Sequence, residues 1–472
     1  MGCRIQNVNS SYIAKEYTLR SDTNYILTDI KMSDTENYRF DELYEIIDND
    51  AVALDGLTTF KYAEISDVTS EGDVYPVLLD IDERNEMNEN YFKKIEKGDI
   101  ICVKENDILI SKIRPYLKKI IFIDESNCDI FYTSAFIHIR PRFSPLILFY
   151  ILRCHFTDYL NSISRQGKGY PTLNEKDLRF LKFDKRYIDN VISKKELFLS
   201  QITTCRVTIN QLKKQRIDDT TIINNILGDY FKWDYKKFEE KKKIRIFNTS
   251  LASVSKNYDI RFSVKFHRPA GYFVNNEIER SNYSKIKNIL FEPIGLGASV
   301  SPSDFDSSGE YYYVSMATIK NYKVELDESQ LLSDTYVNSP SILKKNIKRG
   351  DIIMTRSGAA IGKFALVEED MKAIHADFTM RIRLKDVNLK FAYFYFRSSY
   401  FQYLIEINYK GLQNNNIFPN QVQEFPFPRI SLNEQEELSK KIIALLDKQN
   451  ESKLEIKKQN DLIEKKFNED IV

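Results

Sequence analysis

The chain has 472 residues, too many for one ordinary hydrophobic core, so at least two domains are expected. Hydrophobic residues make up 42% of the sequence and aromatic residues 13%, which excludes wholesale disorder. The 69 Lys and Arg residues and 68 Asp and Glu residues leave a net charge of +1, so any basic surface must be local.

The cysteines and histidines are scattered. Five cysteines and four histidines occur, without a Cys-x-x-Cys pair. We therefore expect idle thiols in a reducing cytosol, and neither a disulfide framework nor a metal site. The longest apolar run, 145–152, falls well short of the roughly 20 residues that span a bilayer. These features predict a soluble, cytoplasmic protein.

An internal repeat relates the two halves of the chain. Residues 107–123, DILISKIRPYLKKIIFI, align without gaps on 351–367, DIIMTRSGAAIGKFALV. Both read as a β-strand, a polar segment and a second β-strand. At the same offset of 244 residues, Gly167 falls on Gly411 and Phe183 on Phe427. The repeat predicts two copies of one folding unit.

Each copy ends in a helical pattern with a narrow apolar stripe. The stripe comprises Phe198, Ile202, Cys205, Ile209, Leu212, Ile223 and Leu227 in the first copy, and Leu438, Ile442, Leu445, Ile456, Ile463 and Phe467 in the second. Such a stripe is typical of a coiled-coil seam. Ser431 and Glu434 have the spacing of a capping box, and Ser193 is a candidate cap for the first helix.

The predicted fold class is α+β. We expect two tandem mixed α/β domains, each followed by a long helix, with the two helices pairing as an antiparallel coiled coil. The predicted boundaries are 1–185 for the first domain, 186–231 for its helix, 232–245 for a charged linker, 246–430 for the second domain and 431–472 for its helix.

Signatures of enzyme chemistry are missing from the sequence. It has no Asn/Asp-Pro-Pro-aromatic segment of an amino-methyltransferase and no Gly-x-x-x-x-Gly-Lys-Ser/Thr phosphate loop. Gly295 and Gly297 form a bare Gly-x-Gly, and the Gly-x-Ser-x-Gly frame of a nucleophile elbow is absent. We therefore expect no catalytic residues.

Two polar segments recur at equivalent places in the copies. The first covers 111–119 and 355–363, and the second 164–170 and 408–416. They carry cationic, amide and aromatic side chains, which bind base edges and phosphates in DNA complexes. The candidate DNA-binding residues are Ser111, Lys112, Arg114, Lys118, Arg165, Gln166, Lys168, Tyr170, Thr355, Arg356, Ser357, Lys363, Lys410, Gln413, Asn414 and Asn415. Solvated polar loops are the alternative, but equivalent segments with different residues fit two readers of different sequences.

Two patterns carry a resemblance to a known family. One is the duplicated GDIIMTRSGAAIGKFALV-type segment (350–367). The other is NQVQEFPFPRISLNEQEELSKKIIALLDKQ (420–449), matched in the first copy by LNEKDLRFLKF (173–183). With these patterns the chain resembles, over nearly its full length, the specificity subunits of type I restriction–modification systems. The first copy departs from the pattern, since Ile113-Arg114 stands in place of Ser357-Gly358.

The resemblance implies two target-recognition domains that each read one half of a bipartite DNA site. It also implies that the helices are spacers and docking surfaces for modification (methyltransferase) subunits. The expected partners are double-stranded DNA, modification subunits and restriction subunits, with no membrane. The chain itself would hold no cofactor. The partner subunits would use S-adenosylmethionine, ATP and magnesium.

Two other functions stay open. One is a specificity chain of a type IIG or IIB system, which would serve a fused methyltransferase–nuclease. The other is a coiled-coil scaffold that binds proteins and no DNA. Genomic neighbours would separate the first from a type I subunit, and a gel shift on duplex DNA with the partner subunit would separate the second.

Overall fold

The computed structural model describes residues 36–48, 57–81, 89–166, 171–179, 181–244, 246–255, 262–327, 329–410 and 415–471. The chain divides into two compact units. Unit 1 comprises Met1–Gln215 and Ser452–Val472, and unit 2 comprises Arg216–Glu451. Unit 1 therefore combines the first half of the sequence with its last segment.

Unit 1 is a mixed α/β body. Its strands are β1 (Asn37–Arg39), β2 (Tyr44–Ile46), β3 (Thr59–Ala63), β4 (Val77–Asp80), β5 (Ile108–Ser111), β6 (Ile120–Phe122), β7 (Ile130–Tyr132), β8 (Phe136–Pro141), β9 (Arg165–Gln166), β10 (Pro171–Thr172) and β11 (Lys182–Asp184). Its helices are α1 (Phe40–Leu43), α2 (Glu89–Glu96), α3 (Pro145–Cys154), α4 (Thr157–Ser162), α5 (Glu175–Leu178), α6 (Lys185–Ser193) and α7 (Lys195–Lys214).

Unit 2 is likewise a mixed α/β body. Its strands are β12 (Tyr283–Lys285), β13 (Gly295–Leu296), β14 (Tyr311–Val314), β15 (Ile319–Lys320), β16 (Lys323–Val324), β17 (Leu331–Leu332), β18 (Ile352–Thr355), β19 (Phe364–Leu366), β20 (Ala373–His375), β21 (Thr379–Ile382) and β22 (Pro426–Pro428). Its helices are α8 (Asp219–Phe231), α9 (Tyr235–Lys242), α10 (Leu251–Ser255), α11 (Pro269–Arg280), α12 (Asp334–Val337), α13 (Pro340–Leu343), α14 (Leu389–Arg397), α15 (Ser399–Asn408) and α16 (Pro419–Gln423). Helix α17 (Leu432–Lys466) begins in unit 2 and ends in unit 1, where a π-helical turn, Phe467–Ile471, follows it.

The sheets of the two units have the same topology. A four-stranded sheet has the order β2-β8-β5-β6 in unit 1 and β13-β21-β18-β19 in unit 2. A three-stranded sheet has the order β4-β3-β7 in one and β17-β14-β20 in the other, and each contains one parallel pair, β3 with β7 and β14 with β20. The α+β fold and the predicted duplication are thereby confirmed.

The central strands β5 and β18 are buried on both faces. Ile108 and Ile110 join the main core of unit 1, whereas Leu109 points into a second, smaller cluster. Ile352 and Ile353 divide in the same way in unit 2. Because successive side chains of a strand point to opposite faces, a continuous apolar run is what such a strand requires.

A buried ion pair fixes each central strand to its neighbour. Arg140 donates to Asp107 from Nε (2.7 Å) and Nη2 (3.0 Å), and Arg383 donates to Asp351 from the same atoms at 2.6 and 2.9 Å. Both carboxylates also accept a backbone N–H from the preceding turn. Burial alone would raise the pKa of Asp107, but hydrogen bonds with His138 and Arg140 outweigh it and lower the pKa to about 2.

The apolar stripes of the helices are mostly buried. In unit 1, Phe198 packs on Phe467 with ring centroids 5.2 Å apart, and Ile202 lies in the same core as Ile463. In unit 2, Ile223 shares a core with Ile442. Two predicted stripe residues lie at the edge: Leu212 is half-buried and Leu445 is exposed. Pairing of the helices as a coiled coil stays a prediction.

The first helical region differs from the expected continuous helix over 186–231. It is divided into α6, α7 and α8, and α8 starts afresh with Asp218 as its cap, since the Asp218 carboxylate accepts the N–H of Thr221. Ser193 does not cap a helix: its hydroxyl donates to the carbonyl of Asn190 within α6. The predicted capping box of the second helical region is confirmed, because Ser431 and Glu434 form it before the 35-residue helix α17.

The segment predicted as a charged linker, 232–245, belongs to unit 2, and its described residues are packed within that unit. It contains helix α9, whose Phe238 is buried, and Trp233, whose indole N–H donates to Ser281 Oγ (2.8 Å) and Glu277 O (3.1 Å). Because the segment is highly charged, the sequence pattern did not indicate that these two aromatic residues are buried.

None of the helices in the described part of the chain has the length and apolar character that a membrane span requires.

The Asp107 ion pair leads to a prediction about acid stability. Its folded-state pKa of about 2 lies below the ordinary value of 3.8, so its stabilisation is complete above about pH 4 and is lost as the pH falls towards 2. Asp107→Asn should lower the free energy of unfolding by about 2 kcal/mol at neutral pH, and this difference from wild type should narrow below pH 4. Urea unfolding of both proteins between pH 7 and 2.5 measures it.

Asp129→Asn is the matched control, because Asp129 forms an exposed ion pair with Lys61. Exposed pairs contribute about 0–1 kcal/mol, so this variant should follow wild type at every pH. A gap between Asp107→Asn and wild type that stays constant down to pH 2.5 would contradict the assignment.

Candidate nucleic-acid interface

In each unit, the described parts of the two predicted polar segments lie side by side. We call 111–119 and 355–363 the strand-end segments, because they follow β5 and β18. We call 164–172, which is the predicted 164–170 extended to Thr172, and 408–416 the return segments, of which 167–170 and 411–414 lie outside the described residues. In unit 2, Ser357 and Asn416 form an antiparallel β-bridge. In unit 1, Ile113 and Thr172 form the same bridge, at the 244-residue offset of the repeat.

Further backbone hydrogen bonds repeat around these bridges. Leu173 N donates to Lys112 O at 2.7 Å in unit 1, and Ile417 N donates to Arg356 O at 2.9 Å in unit 2. At the far end of each strand-end segment, Ser111 N donates to Lys119 O at 3.1 Å, and Thr355 N to Lys363 O at 2.8 Å. The two sites therefore share one set of backbone hydrogen bonds, which we call the backbone frame, and they differ in the side chains that this frame carries.

Several candidate residues of unit 2 build this frame. Thr355 is buried, and its hydroxyl donates to Lys363 O (3.0 Å) and Ala360 O. Ser357 Oγ donates to Asn416 Oδ1 (2.6 Å), and Arg356 Nε donates to Asp377 O (2.9 Å). The Ser357–Asn416 hydrogen bond joins the strand-end segment to the return segment, whereas the contacts of Thr355 and Arg356 fix the strand-end segment itself.

Other candidates of unit 2 face solvent. Lys363 and Lys410 are exposed, and Asn415 is partly exposed beside Gly358, whose N–H donates to the Asn415 carbonyl at 3.1 Å. Gln413 and Asn414 lie outside the described residues. Cations and amides are the side chains that bind phosphates and base edges in DNA complexes, so these residues stay candidates for DNA contacts.

Unit 1 divides its candidates in the same way. Ser111 is buried, with its hydroxyl donating to Ile113 O (2.8 Å), and Lys112 forms an ion pair with Glu175 (2.8 Å). Arg114 is exposed and Lys118 half-buried.

The return segment of unit 1 carries the remaining candidates. Arg165 donates to buried Asp177 through two nitrogens, at 2.9 and 3.0 Å, while Gln166 lies in β9. Lys168 and Tyr170 lie outside the described part of the chain. The role of each candidate in DNA binding stays a prediction, and Arg165 has a structural partner besides.

The strand-end segment of unit 1 keeps an unusual backbone without glycine. Gly358 and Gly362 have positive φ angles of 72° and 80° in unit 2. The equivalent residues of unit 1 are Arg114 and Lys118, with φ of 50° and 54°. A side chain in this left-handed region costs roughly 1–2 kcal/mol. Unit 1 thus holds two cations in a strained conformation at the predicted DNA-binding surface.

Two residues that the sequence analysis did not single out complete the frame. Asn416 accepts from Ser357, and Asp177 accepts from Arg165. Asn416 stands directly after three predicted candidates, so its position in the polar run was the available signal. Asp177 gave no signal, because its partner is 12 residues away and only the folded segment brings them together.

Among the described residues, no group of three or more His, Cys, Asp or Glu side chains is placed to hold a metal ion.

Lys119 of the strand-end segment is turned inward: its ammonium donates to Ile65 O (2.7 Å), and burial lowers its pKa. It is therefore separate from the exposed cations of the strand-end segment.

No family model and no curated protein matches the chain. Solved structures do. The chain is similar to a chain from a structure on complex assembly and conformational transition of the type I R-M system, at 14% identity and a TM-score of 0.37, over 91% of this chain and 96% of that one. It is similar to the HsdS subunit from Thermoanaerobacter tengcongensis at 14% identity and a TM-score of 0.33, over 91% and 95%. It is also similar to the S subunit of a Type-I restriction-modification system from M. genitalium at 11% identity and a TM-score of 0.36, over 91% and 95%.

The strained Arg114 leads to a second prediction. Arg114→Gly should raise the stability of the chain by up to about 1 kcal/mol, because glycine adopts positive φ freely but loses more backbone entropy on folding. Arg114→Ala removes the same guanidinium but keeps the strain, so it should bring no such gain. Urea unfolding of both variants without DNA measures the difference.

Both variants should weaken binding to duplex DNA equally if the guanidinium is a DNA contact. Equal stability of the glycine and alanine variants would show that the backbone at Arg114 carries no strain.

Proposed function

We propose that this chain is the DNA-reading, non-catalytic specificity subunit of a type I restriction–modification complex. Each unit would read one half of a bipartite site through its strand-end and return segments. The observation that carries the proposal is the pair of equivalent sites, which share one backbone frame and differ in their exposed side chains.

Duplication of a frame with different side chains is what reading two half-sites requires. The shared backbone bonds hold each loop pair in one geometry, and specificity comes from the side chains that reach base edges. Unit 1 offers Arg114, Gln166 and Lys168, whereas unit 2 offers Asn414, Asn415 and neighbouring amides. The first set combines two cations with one amide and the second consists of amides, so the two sets favour different bases, since Arg and Lys pair with guanine and Asn and Gln with adenine.

The proposed partners follow from the absence of catalytic motifs in the sequence. With no catalytic signature in the sequence, the methyl transfer and the cleavage would belong to modification and restriction subunits. The modification subunits would dock on α7, α8 and α17 and use S-adenosylmethionine. The restriction subunits would use ATP and magnesium.

The first test separates the two readers. In cells that express the chain with its modification subunits, Asn414→Ala and Asn415→Ala should change the methylated sequence in one half of the site only. Gln166→Ala and Lys168→Ala should change the opposite half only. A lost base-edge contact costs about 1–3 kcal/mol at its own position. Methylome sequencing identifies the altered bases.

Lys363→Ala is the control in this experiment. As an expected phosphate contact, Lys363 should strengthen binding to all sites alike, so its loss should weaken methylation uniformly and reduce the salt dependence of binding. If the variants in both units altered the same half-site, the assignment of one reader to each unit would be wrong.

The second test concerns catalysis. Purified chain, incubated with labelled S-adenosylmethionine and duplex DNA, should transfer no label above background. Adding the modification subunits should start the transfer. Sustained methyl transfer that co-purifies with the chain alone would overturn the non-catalytic assignment.

A further inference from the structure

Two buried arginines occupy equivalent positions in the two units. Arg153 lies in the last turn of α3 and Arg397 ends α14, at the 244-residue offset of the repeat. Their relative exposures are only 5% and 7%. A buried guanidinium needs partners for both its charge and its donors, so its contacts show what it holds together.

Arg153 connects three parts of unit 1. Its Nε donates to Glu464 Oε1 on α17 (2.6 Å), and its Nη2 donates to the carbonyl of Ser70 (2.8 Å). Its Nη1 donates to the carbonyl of Lys118, in the strand-end segment, at 3.3 Å. One side chain thus links the strand-end segment to the C-terminal helix.

Arg397 connects α8 to residues beside the strand-end segment of unit 2. Its Nη2 donates to Asp219 Oδ2 at the start of α8 (3.1 Å), and its Nη1 donates to the hydroxyl of Tyr393 (3.4 Å). The guanidinium carbon lies 4.4 Å from the ring centroid of Tyr322, which follows β15. The ring of Tyr322 contacts Phe364, directly after the strand-end segment.

In both units the acidic partner comes from the other sequence repeat. Glu464 lies in the helix that follows the second domain in the sequence, yet it belongs to unit 1. Asp219 lies in the helical region that follows the first domain, yet it belongs to unit 2. Order along the chain would connect each acid with the preceding domain, and the contacts connect it with the opposite one.

We propose that Arg153 and Arg397 are positioning residues that hold each reader on helical residues supplied by the opposite repeat. The inference rests on the proposed function. Reading side chains discriminate bases only when their backbone is held within about 0.5 Å of the productive geometry. The arginines supply this constraint, because each joins a helix that would carry the modification subunits to the elements beside a strand-end segment.

The test exchanges the acids for neutral isosteres in the full chain, assembled with its modification subunits. Methylation rates are measured on duplexes that carry one mismatch in one half of the site, the half read by each unit being known from the loop variants above. Glu464→Gln should lower the matched-to-mismatched rate ratio about tenfold for the half read by unit 1, and leave the other half unchanged. Asp219→Asn should have the same effect on the half read by unit 2 only.

The controls are exposed acids on the same helices. Asp461→Asn on α17 and Asp229→Asn on α8 remove the same charge without touching either arginine, and both rate ratios should stay at the wild-type value. If Glu464→Gln does not fold, Glu464→Asp replaces it, because a shortened carboxylate keeps the charge and loses the contact with Arg153.

A second readout needs no DNA. Ile120 N donates to Lys118 O, the carbonyl that Arg153 also binds. Amide hydrogen exchange at Ile120 should therefore accelerate in Glu464→Gln and stay unchanged in Asp461→Asn. Loss of a merely stabilising contact would lower the melting temperature without changing one half-site selectively.

The outcomes distinguish this inference from the proposed function. If the wild-type complex directs no methylation to a bipartite site, the proposed function fails. If wild type does so, but Glu464→Gln changes the half read by unit 2, both halves or neither, the positioning proposal is overturned and the proposed function stands.

Discussion

The rest of the structure depends on a carboxylate buried beside the central strand of each unit. Asp107 binds Arg140 in the neighbouring strand β8, and Asp351 binds Arg383 directly after the neighbouring strand β21, each through two hydrogen bonds. Each carboxylate also accepts a backbone N–H of the preceding turn. A buried carboxylate without such partners would cost several kcal/mol, so only one register of the two strands is tolerated. In that register Ile108 lies opposite Ile139 and Ile352 opposite Ile382. The strand-end segment leaves the other end of the same strand, and its position follows from this register.

The fixed frame explains how two sites of different chemistry share one shape. Backbone hydrogen bonds, such as Leu173 N to Lys112 O and Ile417 N to Arg356 O, set the geometry of each loop pair whatever side chains it carries. The exposed positions are therefore free to differ. Even the positive-φ position is not restricted to glycine, because Arg114 has a positive φ angle in unit 1 where Gly358 has one in unit 2. A strained residue persists only where the surrounding structure determines the backbone strongly.

Much of this architecture could be predicted from the sequence, because it rests on local periodicity and on the repeat. The α+β class, the duplicated unit, the buried stripe and the capping box at Ser431 all follow from such patterns. The break before Asp218 and the packed helix around Phe238 were not predicted, since a short cap and isolated aromatic anchors are weak signals among many charges. For the site, the sequence predicted the two polar segments, but not which of their residues stabilise the backbone frame and which face solvent. Ser111 and Thr355 are polar, yet each ends a buried strand, and its hydroxyl satisfies carbonyl groups of the turn.

The hardest feature to predict is that each unit is assembled from distant parts of the chain. The core of unit 1 includes Ile456, Ile463 and Phe467, from the last helical segment. Phe467 packs against Phe198 and Tyr150, with ring centroids 5.2 and 5.9 Å apart. These contacts span more than half the sequence. The apolar stripe predicts that these residues are buried, but no local pattern indicates that they join the core of unit 1. Because these apolar faces remain uncovered until the C-terminal helix is in place, unit 1 cannot complete its core from the first half of the sequence alone, and its native form depends on the segment that ends the second repeat.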